Sequence, residues 1–194
     1  MLNLVLFGAP GCGKGTQAQR LEAHYGLAHV STGEVIRGEI RRGTALGKSM
    51  EACIARGQLA SDEIVIGMID SYVAAHRDVA GNIFDGFPRT TAQAEAFDVL
   101  MARYGLQVDV MIDMHVPEDE LVRRILLRGL DSGRADDASE EVIRRRIEVY
   151  HDQTAIVAAH YRRTGKYCEV DGTGTMDEVF ARLCGVIDRL RGGI

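Results

Sequence analysis

The chain opens on a short apolar run, LNLVLF, that passes directly into Gly8–Thr16, GAPGCGKGT. This junction restricts the fold more than any other stretch of the sequence. A continuous apolar run closed by Gly and Pro has the pattern of a strand buried on both faces of a parallel sheet. A glycine-rich turn between such a strand and a helix reads as a P-loop. Small residues let backbone N–H groups face a polyphosphate, the helix N-terminus adds positive potential, and Lys14 supplies a point charge. The strict GxxxxGK[ST] spacing fails by one place, because Gly15 follows the lysine and the hydroxyl arrives only at Thr16.

Further strand candidates follow at Ala28–Val30, Asn82–Asp85, Val108–Asp113 and Tyr167–Val170, each separated from the next by helical patterns. That alternation predicts a three-layer α/β fold around a five-stranded parallel sheet. Phe97, Leu100, Met101 and Tyr104 recur at helical spacing, as do Val179, Leu183, Val186, Ile187 and Leu190. Thr175-x-x-Glu178 has the form of a capping box for the last helix, and Pro117 before three acidic residues suits a first helical turn. Two stretches break the rhythm. Ser31–Gly81 holds about fifty residues with several helical patterns and no strand, more than one crossover needs, and predicts an inserted subdomain. Arg128–Asp137, RGLDSGRADD, reads as a polar loop between helices, too short to fold alone.

The 194 residues fit one domain of ordinary globular composition, 46% hydrophobic and 26% charged. A net charge of −5 disfavours a broad nucleic-acid surface. No run approaches the ~18 apolar residues of a membrane span, and the apolar start lacks the basic flank of a signal peptide. Cys12, Cys53, Cys168 and Cys184 form no C-x-x-C pair, which argues against a zinc site and a disulfide framework and predicts a reducing, cytoplasmic setting. Twenty arginines against three lysines suit bidentate phosphate binding, although most are expected to be solvated surface charges. Asp85 ends a strand just before Gly86, where parallel α/β proteins place ligands, and is the candidate for Mg²⁺, through water. The histidines show no ligand spacing.

GAPGCGKGT resembles the adenylate kinase form of the loop, in which Gly follows Lys. In order along the chain, Ser31-Thr32-Gly33 with Arg37, Gly57–Asp62, Asp85–Arg89 (DGFPR) with Gln93, Arg124 with Arg128, Ser132–Arg134 with Asp136-Asp137, Arg146, and Asp171–Gly174 (DGTG) are similar to motifs of that family. The resemblance covers nearly the whole chain. It implies a P-loop NTPase-like core of residues 1–30, 82–127 and 138–194, a nucleoside-monophosphate-binding insertion at 31–81, and a short lid at 128–137. It implies ATP phosphates on Gly11, Cys12, Gly13, Lys14, Gly15 and Thr16, with Arg124 packed on the ATP base and Arg128 and Gly174 also on the ATP side. It implies AMP held by Thr32, Arg37, Gln58, Leu59, Ala60, Gly86, Phe87, Pro88, Arg89, Gln93, Arg134 and Arg146. Lys14, Arg89, Arg128, Arg134 and Arg146 are the implied catalytic cations. The implied activity is reversible transfer of the γ-phosphoryl of Mg·ATP to AMP, giving two ADP. The expected partners are ATP, AMP and ADP, with no nucleic acid or membrane, and the expected state is a monomer.

Two departures stand beside the resemblance. About ten residues separate Arg128 from Asp137 where longer relatives carry a zinc-binding lid, so no lid zinc is expected. The segment before Tyr150 leaves Arg145 and Arg146 as alternatives for one role. Gln93, three after Thr90, fits a helix cap as well as a base pocket. Arg128 and Arg134 are expected to repel each other across an empty site and to be drawn inward by polyphosphate. A kinase of the same fold using another base, UMP/CMP or GTP, is the alternative, although Thr32 and Gln93 favour adenine. A GTPase switch would need an N-K-x-D, which is absent, and an inactive binding module would have lost one of Lys14, Arg89 or Arg134.

Overall fold

The computed structural model describes residues 1–137 and 139–192. Strand β1 (Leu2–Phe7) runs through the loop into α1 (Lys14–Tyr25), which returns the chain to β2 (Ala28–Ser31). Three helices follow without a strand, α2 (Thr32–Arg41), α3 (Ala45–Ala55) and α4 (Asp62–Ala75), before β3 (Gly81–Asp85). Then come α5 (Thr91–Arg103), β4 (Val110–His115), α6 (Glu118–Ser132), a 3-10 turn at Ala135–Asp137, and α7 (Glu140–Val149). A π-helical turn at Tyr150–Thr154 leads into α8 (Val157–Arg163), β5 (Tyr167–Asp171) and α9 (Met176–Gly192). The five strands are all parallel in the order β2-β3-β1-β4-β5.

Strand alternation sorts the core into two layers. Leu4, Leu6, Ile83 and Ile112 pack on Ala18 and Leu21 of α1, Ile125 of α6, Ile143 and Ile147 of α7, and Leu183 and Ile187 of α9. Val5, Phe84 and Met111 on the opposite face meet Ile69 of α4, Phe97 and Met101 of α5, and Val157 and Tyr161 of α8. Each buried aliphatic or aromatic side chain contributes roughly 2 kcal/mol, more than a surface ion pair at about 0–1 kcal/mol, so these layers set the scaffold on which the site is hung. Because β1 lies between β3 and β4, the chain reverses its winding there, and the C-terminal ends of β1 and β3 open a crevice.

The predicted strands and end helices are present. The capping box at the head of α9 forms in both directions, with Glu178 N–H donating to Thr175 Oγ1 and Thr175 N–H to Glu178 Oε2. Three strand ends, of β2, β3 and β5, extend one residue beyond the predicted runs, and two boundaries differ by more. β4 begins at Val110, where the ladder to Leu4 starts; Val108 is buried, but it lies ahead of the paired segment. The stretch read as a loop from Arg128 is helical to Ser132, and α6 stops at Gly133 in the left-handed region (φ 61°). Gly129 sits inside that helix where a Cβ would lie 2.7 Å from the Asp137 carbonyl oxygen, so the 3-10 turn packs directly on it. Among the described residues no helix is long and apolar enough to cross a membrane.

Candidate active site

The loop between β1 and α1 is shaped by glycines. Gly11, at φ 86°, holds a conformation that L side chains rarely adopt, and a Cβ there would come within 2.8 Å of Ile125 Cγ1 and 3.0 Å of the Leu121 carbonyl oxygen. The loop is therefore pressed against α6. Lys14, the first residue of α1, donates from Nζ to the carbonyls of Gly8 at 2.7 Å and Ala9 at 3.0 Å. Gly11, Gly13, Lys14, Gly15 and Thr16 all border a cavity of about 340 Å³. Cys12 does not; its side chain is buried in the core layer on the α1 face.

The floor of the cavity is the end of β3. Asp85 is 7% exposed, with Oδ2 3.7 Å from His29 Nε2 on the adjacent strand. Burial would raise the Asp85 carboxyl, but the facing imidazole of His29 and the charges of Lys14 and Arg89 outweigh it and hold the group below the usual carboxylate range. Arg89 donates from Nε to the Gly86 carbonyl at 2.7 Å, and the Thr32 hydroxyl donates to the same oxygen at 2.9 Å. Burial first, then repulsion from Arg146 and Arg37, holds the Arg89 guanidinium below its ordinary value in spite of Asp85 and Asp136. Nearby, Arg37 Nε is buried with no hydrogen-bond partner. A buried cluster of under-neutralised guanidiniums is a site for an anion.

Arg128, Arg134 and Arg146 also line the cavity, around the turn at Ala135–Asp137. Arg128 makes a bidentate pair with Asp137, Nε to Oδ2 at 2.7 Å and Nη2 to Oδ1 at 2.9 Å. Arg146 Nη1 donates to Asp137 Oδ1 at 2.6 Å and to the Asp136 carbonyl at 3.0 Å. Burial would raise the Asp137 carboxyl; the hydrogen bond from Arg128 and the charges of Arg128 and Arg146 outweigh it and keep the group below its usual range. Arg134 pairs with Glu34 of α2, whose Oε1 also accepts from Arg37 Nη2 at 2.6 Å. Repulsion from Arg128 contributes to depressing Arg134, after burial and Arg37, and each guanidinium is in addition held by a carboxylate that sequence reading had not paired with it. Arg146 faces the cavity, whereas Arg145 pairs with Glu148 on the outer surface.

At the far end the cavity is bordered by Thr32, Gln58, Leu59, Ala60, Pro88 and Gln93. Gln93 is 1% exposed; its backbone N–H is capped by Thr90 Oγ1 at 3.1 Å, and the residue borders the cavity. Phe87 lies elsewhere, fully buried against Phe97 with ring centroids 4.9 Å apart. Arg124 and Gly174 also lie outside the lining. Arg124 donates to Glu120 and, at 3.2 Å, to the Gly172 carbonyl of the loop after β5, so it joins α6 to the loop that carries Gly174. Among the described residues no three His, Cys, Asp or Glu side chains gather to hold a metal ion. His29 and Glu34 line the cavity without having been singled out, beside Asp136 of the Asp136-Asp137 motif.

Comparison with known proteins adds the family. The adenylate kinase family model matches residues 6–166. An adenylate kinase of Bacteroides thetaiotaomicron is 51% identical over 190 residues, covering 98% of this chain and 100% of the relative. The chain belongs to the adenylate kinase family. Adenylate kinases of Phocaeicola vulgatus, 49% identical over 190 residues, and Maricaulis maris, 46% identical over 187, match over nearly their full lengths as well. Length and coverage together put the chain with the short-lid adenylate kinases.

Proposed function

We propose that the protein is an adenylate kinase that reversibly moves the γ-phosphoryl group of ATP onto AMP, giving two ADP. The observation that carries the reading is one cavity lined together by Gly11, Gly13, Gly15 and Thr16 of the P-loop, by Thr32 and Gln93, and by the cations Lys14, Arg89, Arg128, Arg134 and Arg146. ATP and AMP together bring about six negative charges, and phosphoryl transfer is mainly a matter of positioning and neutralising them. In this reading the backbone of Gly11–Thr16 cradles the ATP phosphates, while Arg124 and the Gly174 loop flank the ATP base. Arg37 and Arg89 take the AMP phosphate, with the unpartnered Arg37 Nε one of the donors. Thr32, Gln58, Leu59, Ala60, Gly86, Pro88 and Gln93 enclose AMP, and Phe87 acts from the core by fixing the loop that carries Arg89. The AMP phosphate oxygen is already anionic, so no general base is required.

Mg²⁺ is expected to accompany ATP, and Asp85 is the residue that would hold it, through water. A single ionised carboxylate suits an ion that takes its other ligands from phosphates and solvent. When bound, the ion neutralises charge on the β- and γ-phosphates. The proposed division is a core of 1–30, 82–127 and 138–194 with two closing segments, 31–81 and 128–137, that exclude water from the transfer. The test is a coupled assay of AMP, UMP, CMP and GMP as acceptors with ATP and GTP as donors. A clear preference for AMP with ATP is expected, and equal kcat/KM for AMP and UMP would overturn the reading.

A further inference from the structure

The side-chain amide of Gln93 is held at both ends by partners that cannot exchange roles. Oε1 accepts from the Arg89 backbone N–H at 2.7 Å, and Nε2 donates to Asp62 Oδ1 at 2.7 Å. A backbone N–H only donates and a carboxylate only accepts, so the amide has one orientation. Asp62 is itself fixed, because its other oxygen accepts from the Thr90 hydroxyl at 3.0 Å. Each end of the amide keeps one unused capacity: a second lone pair on Oε1 and a second N–H on Nε2. Gln93 borders the cavity with 1% of its surface exposed, so these are what it can offer to a base.

We infer that Asp62 is a positioning residue that sets acceptor specificity, locking the Gln93 amide in the orientation that accepts a 6-aminopurine and rejects a 6-oxopurine. The inference rests on the reading of Gln93 as part of the AMP pocket. Adenine presents an acceptor at N1 beside a donor at its 6-amino group, which matches Nε2–H and Oε1 as they stand. Hypoxanthine and guanine present the reverse, a donor at N1 beside a 6-oxo acceptor. To pair with them the amide must flip. The flip sets Nε2–H against the Arg89 N–H and Oε1 against the Asp62 carboxylate, leaving buried polar groups unpaired. The lock spans the fold: Asp62 opens α4 in the inserted segment, while Gln93 and Arg89 follow β3.

The probe is IMP, which differs from AMP only at the N1–C6 edge. The intact protein is expected to favour AMP over IMP by at least about 100-fold in kcat/KM. Asp62→Asn offers an amide that can serve either orientation, and it should lower that ratio by about 10-fold or more. The change should come from a raised KM for AMP and improved use of IMP, with kcat for AMP kept within about 3-fold. Asp62→Ala should lower the ratio as well, Asp62→Glu should restore part of it, and Thr90→Val, which removes the second contact on Asp62 but leaves the Asp62–Gln93 bond, should lower it by less than either Asp62→Asn or Asp62→Ala. A thermal melt of each variant identifies any that fail to fold, and the proposal then stands or falls on the other Asp62 variant. If AMP and IMP decline in parallel in a folded Asp62 variant, Asp62 is merely structural and the proposal is overturned. Gln93→Ala separates the two levels. An unchanged ratio there removes Gln93 from the base pocket, whereas a collapsed ratio there with an unchanged one in Asp62→Asn removes Asp62 alone.

Discussion

The two ends of the cavity are built from different materials. The P-loop end is backbone: left-handed glycines threaded between β1, α1 and α6, with Lys14 bonded to the loop's own carbonyls. The lid end is side chain: guanidiniums of Arg37, Arg128, Arg134 and Arg146 held in place by Glu34, Asp136 and Asp137. Backbone geometry cannot be exchanged without refolding the loop, while an arginine on a carboxylate can be handed over to an incoming phosphate. Under the proposed function the first end would act as a fixed cradle and the second as a set of cations parked on temporary partners.

The largest effects are expected from removing the two cations that rest on carbonyls and not on carboxylates. Lys14→Ala and Arg89→Ala are both expected to lower kcat by at least about 100-fold, since each removes charge from the transferring phosphate. Both should retain the fold, because the hydrophobic core layers are built from other residues. Near-parental turnover in either variant would remove that residue from the transfer step.

Gly11→Ala tests the cradle itself. An alanine Cβ meets Ile125 and the Leu121 carbonyl, and the residue must also hold φ 86°. We expect a loss of about 2 kcal/mol in chemical denaturation together with a raised KM for ATP and little change in that for AMP. A variant as stable as the parent, with unchanged ATP kinetics, would mean that the loop is more compliant than its packing implies.

The same contrast governs what could be read from the sequence. The P-loop was legible because everything that makes it lies within nine consecutive residues, from an apolar strand end to a lysine. The five strands were legible from their apolar runs, although the start of β4 was not, since a buried Val108 looks the same in sequence whether or not its backbone pairs. The lid was misjudged for a physical reason. Gly129 reads as a loop residue, whereas it sits in a helix to let the Asp137 backbone approach. Glu34–Arg134 and Asp62–Gln93 join residues 100 and 31 positions apart, and no local pattern marks such pairs. The order of the arginines along the chain was visible, but not the carboxylates on which they rest.

Asp137 offers a test of intermediate size. It is buried and shared by Arg128 and Arg146, and its carboxyl lies below the ordinary range. A group whose folded pKa is depressed contributes stability above its unfolded pKa, near about 4, and loses that contribution as pH falls through the folded value. Asp137→Asn is therefore expected to destabilise by about 2 kcal/mol at neutral pH. The gap in melting temperature between variant and parent should narrow progressively below about pH 4. A gap independent of pH would show that the carboxylate acts by shape and not by charge.

The smallest effect is expected at Glu34, and it bears most directly on the idea of parked cations. Its Oε1 accepts from Arg37 and Arg134 together, which ties α2 to the lid turn. Burial would raise this carboxyl, but the hydrogen bond from Arg37 and the charges of Arg37, Arg134 and Arg41 outweigh it and leave the group depressed. The side chain remains 48% exposed, so as a support for the fold the pair is worth under about 1 kcal/mol. As a competitor it matters more, because an arriving phosphate must displace a carboxylate from the guanidiniums that would bind it. Glu34→Gln keeps the shape and removes the charge. We expect the KM for AMP to fall by about 3-fold to 10-fold, with inhibition by inorganic phosphate strengthened to a similar degree and the melting temperature nearly unchanged. A raised KM would reverse the interpretation: Glu34 would then be aiming the two guanidiniums at the phosphate, and the lid end would be as preorganised as the cradle.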